Sequence, residues 1–399
     1  MPKGQGRRRP TPYNGPMALP PEVCIRGAGI VGRTLALLLA GARVRVALVA
    51  PPTDAAAKAR EDVRAYALNA ASRALLESLR AWPDAQHATA VREMMVHGDD
   101  GGSVHFNAPH HKVDALAWIV DVPALEQRLA DAVRFSPLVE VVQEPVAAPL
   151  TVVCEGKASV TRQTLGVRYD LTRYPQHAIA ARFEAERPHG EIARQWFNDC
   201  GEVLALLPLG GPGGRSLALV WSVDQCHAPR LQAMGTDEFA AEVRSACGDA
   251  LGALTPVGER AAWPLQRAMA DRWTGQMADG TSWALAGDAA HTVHPLAGQG
   301  LNLGLADVQS LADVLSGREH WRSVGDMRLL RRYERSRRAD VLAMSLATDG
   351  LQQLFAHSAD PLPRLRNWGM RGFDRTGPIK GWIARRAMGL QRTARPASH

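Results

Sequence analysis

The chain has 399 residues, of which 46% are apolar and 22% are charged, and it carries a formal net charge of +7. This length predicts about two domains with substantial cores. No stretch approaches the roughly 20 consecutive apolar residues that span a bilayer. The five cysteines are scattered and odd in number, which argues against a disulfide framework.

The positive charge is concentrated at the two ends of the chain. Residues 364–395 hold nine Lys or Arg and one acid, Asp374, and the first nine residues hold four more bases. The remainder is therefore net acidic. Residues 1–20 are polar, rich in Gly and Pro, and lack the apolar segment of a secretory signal. We therefore expect residues 1–20 to form a disordered basic tail, and Met17 is an alternative initiator methionine. We also expect the protein to be cytoplasmic.

The first motif is a glycine-rich turn between a predicted strand and a predicted helix. Residues 23–25 form a short apolar run, and Gly27, Gly29 and Gly32 follow it in a GxGxxG pattern. Such glycines allow a tight turn, close approach of a pyrophosphate and tight helix–strand packing. The helix N-terminus adds partial positive charge. By itself, the pattern is equally compatible with a purely structural turn.

A second motif, in residues 283–302, makes the prediction of a cofactor site more specific. Residues 283–286 predict another buried strand, which Gly287 ends, and Asp288 supplies a short acceptor suited to a ribityl or ribose hydroxyl. A further glycine-rich run precedes a predicted buried helix and consists of Gly298, Gln299, Gly300, Leu301 and Asn302. Its backbone N–H groups could face a phosphate or the polar edge of an isoalloxazine ring. Together the two motifs predict a flavin site.

These motifs, with Asp62-Val63-Arg64-Ala65-Tyr66-Ala67-Leu68 between them, resemble those of the FAD-dependent aromatic hydroxylases, a monooxygenase family. The resemblance is strongest to the ubiquinone-biosynthesis hydroxylase branch and covers most of residues 22–390. It implies an α/β (α+β) fold with a Rossmann-like FAD-binding domain of the aromatic hydroxylase type. An inserted β-sheet substrate domain and C-terminal helices would complete the chain.

The resemblance also implies the chemistry and the site. FAD, reduced by NAD(P)H or another donor, would react with molecular oxygen to give a flavin hydroperoxide, which hydroxylates an electron-rich aromatic ring. The first three motif glycines would hold the pyrophosphate, Asp288 the ribityl chain, and Arg64 a phosphate or the flavin. Pro295 and the backbone of residues 298–302 would line the isoalloxazine ring. The flavin carries the chemistry, so no catalytic acid or base is assigned.

Three features depart from the family pattern. Ala50 follows the second strand, where an acidic residue usually holds the adenosine ribose, and Asp54 is a possible replacement. Glu155 stands where the family's Asp-Gly motif has Asp, and residues 139–151 are short for the usual strand pair. These departures predict weaker FAD retention or a partly competent flavin site.

Several side chains near the motifs have alternative interpretations. His294 adjoins the predicted flavin ring and is a weak catalytic candidate for hydrogen bonding to substrate or peroxide, and Asp121 is a weaker candidate for the pocket. A structural role in the loop is the alternative for His291 and His294, and we expect no metal site because they have no third ligand. Candidate pocket residues are Trp196, Trp221 and Trp263, with core packing as the alternative for each.

The motif positions predict a discontinuous domain organisation. The expected parts are a basic tail (1–20), the FAD domain (22–81, 114–167 and 254–343), the substrate domain (91–106 and 168–253) and a helical basic C-terminal segment (344–399). In that last segment apolar residues recur at helical spacing among bases, from Ile379 to Leu390. This pattern favours a helix lying on an anionic membrane, and docking of the apolar stripe on the protein body is the alternative.

The leading hypothesis is hydroxylation of a phenolic ubiquinone precursor, which a polyprenyl chain would bring to the inner face of a membrane. One alternative keeps the flavin chemistry with a soluble aromatic or polyketide substrate. Another is a non-catalytic flavin-fold scaffold in a quinone-biosynthesis protein complex, which the basic C-terminal segment could contact. No nucleic-acid-reading motif is visible, so nucleic acid is not an expected partner.

Overall fold

The computed structural model describes residues 19–50, 62–98, 102–198, 200–293 and 299–356, with side chains as far as residue 344. In chain order the strands are β1 (Val23–Arg26), β2 (Val46–Val49), β3 (Ala65–Leu68), β4 (Ala88–Val91), β5 (Glu93–His97), β6 (Ser103–Asn107), β7 (Ala117–Asp121), β8 (Val139–Val142), β9 (Leu150–Val153), β10 (Tyr169–Ala185), β11 (Ile192–Phe197), β12 (Val203–Pro208), β13 (Ser216–Asp224), β14 (Leu254–Ala270), β15 (Thr274–Gln276), β16 (Ser282–Leu285) and β17 (His291–Thr292). The helices are α1 (Ile30–Gly41), α2 (Ala70–Ser78), α3 (Val122–Arg134), α4 (Val160–Thr164), α5 (Ala228–Ala233), α6 (Thr236–Cys247), α7 (Gly300–Ser316) and α8 (Met327–Ala356).

The first layer is a six-stranded sheet in the order β15-β16-β9-β1-β2-β8. All its neighbouring pairs are parallel except β15 with β16. Strands β2 and β16 are completely buried, as expected for short apolar runs in a parallel sheet with both faces covered. Helices α1, α7 and α8 pack on this sheet in one core that includes Leu35, Val308 and Tyr333. The predicted Rossmann-like layer is therefore present.

The second layer is an eight-stranded sheet in the order β17-β14-β10-β13-β12-β11-β5-β6. One face packs on helices α5 and α6 in a core that includes Phe183, Leu219 and Phe239. The opposite face lies towards the small sheet β3-β7-β4, where Ala218 meets Ile119 and Val91. The eight-stranded sheet forms a roof over the parallel layer and is called the roof sheet, or roof, below.

Two sequence expectations need correction. Residues 254–270 were assigned to the FAD domain, but they form β14, which pairs with β10 from Leu254 to Ala270 and so belongs to the roof sheet. The short segment 139–151 still supplies two strands, but they do not pair with each other. Instead β8 extends the sheet beyond β2, while β9 lies beside β1. The remaining domain boundaries stay predictions, and residues 1–18 and 357–399 lie outside the described residues.

The three tryptophans divide between the two faces of the roof. Trp221 is only 4% exposed and belongs to the core with α6, and Trp196 packs against that same core. Trp263 pairs across strands with Ala178, on the face towards the parallel layer. Core packing therefore describes Trp196 and Trp221, and Trp263 alone of the three remains a pocket candidate.

Candidate functional site

The turn after β1 requires glycine for steric reasons. Gly27 has a φ of +110°, and a Cβ there would lie 2.5 Å from the carbonyl oxygen of Cys154. A Cβ on Gly32 would lie 1.9 Å from the carbonyl oxygen of Gly27, so the first turn of α1 touches the loop directly. At Gly29, the N-cap of α1, a Cβ would meet no atom within 4 Å. Among the described residues no side chain therefore fills the position beside Gly29, where the helix N-terminus could receive an anion.

The turn after β16 carries the predicted ribityl acceptor. Gly287 has a φ of +62°, and the N–H of Ala290 donates to its carbonyl oxygen at 2.8 Å. Asp288 has an exposed side chain, yet incomplete hydration raises the pKa of its carboxyl against the opposing effects of His291, Lys157 and Arg64. The exposed Asp288 carboxylate is therefore accessible to a ligand from solvent.

Two further residues hold the same turn, Tyr169 from the roof sheet and Arg162 from α4. The Tyr169 hydroxyl, on β10, donates to the carbonyl oxygen of Asp288 at 2.7 Å and lies 2.8 Å from Thr292 Oγ1. Arg162 Nη1 donates to the carbonyl oxygen of Ala289 at 3.1 Å, and its guanidinium lies 3.6 Å from the centre of the Tyr169 ring. Burial raises the pKa of Tyr169 to about 12, so the phenol stays protonated and can donate.

A buried carboxylate fixes the turn from below. Asp307, on α7, is 0% exposed and accepts from the Gly287 N–H at 3.0 Å and from His291 Nε2 at 2.6 Å. Arg337 Nε, on α8, donates to the other carboxylate oxygen at 2.9 Å. Sequence analysis did not single out Asp307 or Arg337. The available signal was one acid within the apolar run 301–308.

Helix α7 begins at the second glycine run. A Cβ on Gly300 would meet no atom of the described residues within 4 Å. The Asn302 side chain is used internally: it accepts from the Asn69 N–H and the Ser72 hydroxyl and donates to the carbonyl oxygen of Ala67. Asn302 thus joins α7 to the β3–α2 connection, and only its backbone remains available to a cofactor. Gln299 is the N-cap of α7, and Leu301 is half-buried in its first turn.

Arg64 lies next to β3 and is paired within its own segment. Its Nε and Nη2 atoms donate to the two carboxylate oxygens of Asp62 at 2.8 and 2.6 Å. Arg182 of the roof sheet donates to the carbonyl oxygen of Asp62 and to the Asp121 carboxylate. Asp121 is therefore an ion-pair partner between layers in this structure. Arg64 also lies near enough to Asp288 to oppose the rise in the pKa of its carboxyl.

Glu155 takes a defined structural role at the end of β9. Its carboxylate accepts from the hydroxyls of Ser159 and Thr161 and from the Thr161 N–H, and it pairs with Arg26 at 3.1 Å. Burial alone would raise the pKa of Glu155, but these hydrogen bonds and Arg26 lower it on balance. The longer carboxylate thus begins α4 and ties it to β1. Ala50 ends β2 with its N–H bonded to Val142, and Asp54 lies outside the described residues.

The structure brings Gly27, Gly29 and Gly32 to the ends of the same parallel sheet as Gly287 and Asp288. Strands β1 and β16 both pair with β9, so their carboxyl ends lie at one edge. His294, Pro295 and Gly298 lie outside the described residues. No group of His, Cys, Asp or Glu among the described residues could hold a metal ion.

Comparison with known proteins identifies the family to which the chain belongs. A family model described as an FAD binding domain matches residues 136–346. The ubiquinone hydroxylase UbiL of Rhodospirillum rubrum is 32% identical, over 92% of this chain and 89% of its own. The 3-demethoxyubiquinol 3-hydroxylase of Escherichia coli is 32% identical, over 93% of this chain and 99% of its own. The chain belongs to the FAD-dependent aromatic hydroxylases, in their ubiquinone-hydroxylase branch.

Solved structures show the same fold. PqsL of Pseudomonas aeruginosa, in complex with 2-aminobenzoylacetate, matches with a TM-score of 0.68 and 22% identity, over 88% of this chain and 99% of its own. The p-nitrophenol 4-monooxygenase PnpA of Pseudomonas putida matches with a TM-score of 0.69 and 17% identity, over 93% of this chain and 97% of its own. The predicted fold class and family resemblance are confirmed.

Membership makes the protein an FAD-dependent aromatic monooxygenase, a class that also uses NAD(P)H and molecular oxygen. The residues present fit FAD, because glycines lie at the N-termini of both α1 and α7 and the Asp288 carboxylate is exposed in the turn after β16. None of the helices in the part of the chain that the structure describes is long and apolar enough to cross a membrane.

Proposed function

We propose that this protein hydroxylates the aromatic ring of a phenolic, polyprenylated ubiquinone precursor. The observation that carries the proposal is the identity of 32% to two enzymes named as ubiquinone hydroxylases over more than nine-tenths of the chain. Identity over this length includes the roof sheet as well as the FAD domain. The match to those enzymes therefore includes the substrate-facing half of the protein as well as the cofactor half.

The chain's own residues orient and enclose the reactants. FAD supplies the oxygen-transfer chemistry when bound. The N–H groups at the start of α1 would hold the pyrophosphate, and Asp288 would accept from a ribityl hydroxyl. The N-terminus of α7 would place partial positive charge beside the flavin ring. The roof excludes water and holds the aromatic ring against the flavin, where alignment within an ångström determines which carbon reacts.

The composition of the roof supports an apolar aromatic substrate. Ala178, Ala180 and Val220 lie on the roof face that turns towards the parallel layer, and cross-strand register puts Ala205 beside Val220. Small-molecule sites are walled mainly by apolar side chains with a few polar groups that set orientation. The side chains at these four positions are small and apolar, as a wall against a flat aromatic ring would be.

The test is turnover by purified protein with FAD, NAD(P)H and isotopically labelled oxygen. One reaction receives a polyprenylated phenol in detergent micelles, and a parallel reaction receives the same phenol without the chain. We expect label incorporation into the prenylated phenol and a much smaller rate with the short one. Faster hydroxylation of the short phenol would overturn the polyprenyl assignment, and binding of FAD without hydroxylation of any phenol would favour the scaffold alternative.

A matched pair of glycine variants separates cofactor loss from misfolding. Gly29 and Gly41 lie at opposite ends of α1, and a Cβ at either would meet no atom of the residues that the structure describes within 4 Å. Gly29→Trp fills the space that the pyrophosphate needs, whereas Gly41→Trp projects elsewhere. We expect only Gly29→Trp to abolish flavin fluorescence quenching and turnover. Equal loss in both variants would contradict the pyrophosphate assignment.

We also propose peripheral association with an anionic membrane through the basic segment 364–395, where a polyprenylated substrate would be found. Its nine bases and one acid supply the charge, and its apolar residues recur at helical spacing. Flotation with vesicles containing anionic lipid should recover the full chain, and salt should release it. Equal recovery with neutral vesicles would contradict the electrostatic part, and no recovery with either would favour docking of the segment on the protein body.

A further inference from the structure

The Asp307 carboxylate lies where burial of a charge is unfavourable, and its three hydrogen-bond partners come from three different elements. The carboxylate is completely buried on α7 and accepts from Gly287 after β16, from His291 on β17 and from Arg337 on α8. A buried carboxylate costs several kcal/mol unless it is paired and hydrogen-bonded. Here both oxygens are used, and the pairing with His291 and Arg337 keeps the pKa low despite burial.

The partners of Asp307 surround the Asp288 turn. Gly287 is the residue immediately before Asp288, and His291 lies three residues after it. Asp307 therefore holds both ends of this short turn with one side chain. The His291 ring is also fixed, since it stacks on Trp273 with ring centres 5.0 Å apart and an interplanar angle of 24°. From the roof side, Tyr169 binds the carbonyl oxygen of Asp288 itself.

This arrangement leaves the Asp288 carboxylate as the part of the turn that the network does not restrain. The peptide groups around it are bonded from below by Asp307 and from above by Tyr169 and Arg162. Binding groups work best when other residues fix their position beforehand, because less conformational entropy is lost on binding. We propose that Asp307, His291 and Arg337 form a positioning triad that sets the Asp288 turn in its cofactor-binding geometry before FAD binds.

The triad rests on FAD binding and is independent of which phenol is hydroxylated. Its test is the dissociation constant of FAD, measured by fluorescence quenching of added flavin on full-length protein stripped of cofactor. Asp307→Asn removes the charge and one acceptor while keeping the size of the side chain. We expect the dissociation constant to rise about tenfold or more, together with an altered visible circular dichroism spectrum of the flavin that remains bound.

Glu334→Gln is the matched control. Glu334 also belongs to α8 and its carboxylate accepts from a backbone N–H, that of Trp273, and from the Thr274 hydroxyl. It ties α8 to the sheet but makes no hydrogen bond to residues 287–291 among the described contacts. Both substitutions exchange a carboxylate for an amide in the same core. At a comparable fall in melting temperature, Glu334→Gln should leave FAD affinity within about twofold.

A second variant keeps the test decisive if Asp307→Asn does not fold. His291→Phe preserves the stacking on Trp273 and the Asp307–Arg337 pair, and His291 Nδ1 has no hydrogen-bond partner among the described residues. We expect its FAD dissociation constant to rise about threefold to fivefold. Folded variants that bind FAD like the Glu334→Gln protein would overturn the triad. Normal FAD binding with no phenol hydroxylation in the parent protein would instead refute the proposed function and leave the triad intact.

Discussion

The turn after β1 and the turn after β16 both lead from a buried parallel strand to the cofactor side, but different forces fix them. Close backbone contact holds the first, where added methyl groups on Gly27 or Gly32 would collide with carbonyl oxygens. Charge and hydrogen bonds hold the second, through Asp307 and Arg337. The first should therefore be sensitive to added volume, and the second to removed charge.

Removing the cation below the second turn should have the largest effect on stability. Arg337→Met leaves the Asp307 carboxylate buried without its cation, which costs about 3–5 kcal/mol in the free energy of unfolding. Urea denaturation measures it. Arg338→Met is the neighbouring control on α8, where the side chain is 41% exposed, and about 1 kcal/mol or less is expected. Similar losses in both variants would show that Asp307 does not depend on Arg337.

Adding a methyl group in the turn after β1 should cause the second-largest loss of stability. Gly32→Ala places a methyl group 1.9 Å from the Gly27 carbonyl oxygen, so the helix must shift away from the loop. Overpacking of this kind costs about 1–3 kcal/mol, and FAD affinity should fall with it. Gly41→Ala, at the open end of the same helix, should be neutral or stabilising by up to about 1 kcal/mol. Thermal unfolding of the two variants gives the comparison, and an unchanged Gly32→Ala protein would contradict the close contact.

Glu155 should make stability depend on pH in the acid range. Its pKa is lowered in the folded protein, so its contribution is complete above the pKa of the unfolded chain and is lost as pH falls through the folded value. Glu155→Gln should cost about 1 kcal/mol at neutral pH, and the difference from the parent should shrink towards pH 3. A difference that is constant with pH would mean that the hydrogen bonds to Ser159 and Thr161 do not need the charge.

The smallest expected effects are changes in FAD affinity that test whether Arg64 contacts the cofactor. If FAD draws Arg64 away from Asp62, then Asp62→Asn should tighten FAD binding about twofold to threefold, because the competing carboxylate is gone. Arg64→Gln should weaken binding by a few-fold. Titration of each variant with FAD checks the opposite signs. Changes in the same direction would show that the Arg64–Asp62 pair, and not free Arg64, supports the site.

Local patterns predicted the parts of the site that depend on local geometry. The glycines of both turns, helix α1 and the start of α7 follow from residue spacing, and the structure has them where the sequence indicated. Glu155 was recognised as a departure, but its partners could not be derived, because Arg26 reaches it only through the pairing of β1 with β9. The predicted flavin contacts of individual residues stay predictions.

Long-range partners were the part that the sequence could not supply. Asp307 and Arg337 lie on separate helices, and only the packing of α7 against α8 brings them together. The boundary at residue 254 was misplaced for a related reason: β14 is 17 residues long and runs from the far end of the roof to the cofactor turn. Because β14 runs continuously from the roof to the cofactor turn, no turn or break in its sequence shows where one layer ends.

That long strand limits how the enzyme could be re-engineered. Tyr169, at the start of β10, bonds the Asp288 turn, and β14 pairs with β17, which contains His291. The two longest strands therefore continue from the substrate roof into the network that holds the flavin turn. A chimera that exchanges the roof for that of another hydroxylase would have to cut both strands or import their ends. Substrate range in this fold is therefore better altered by side-chain substitution than by domain exchange.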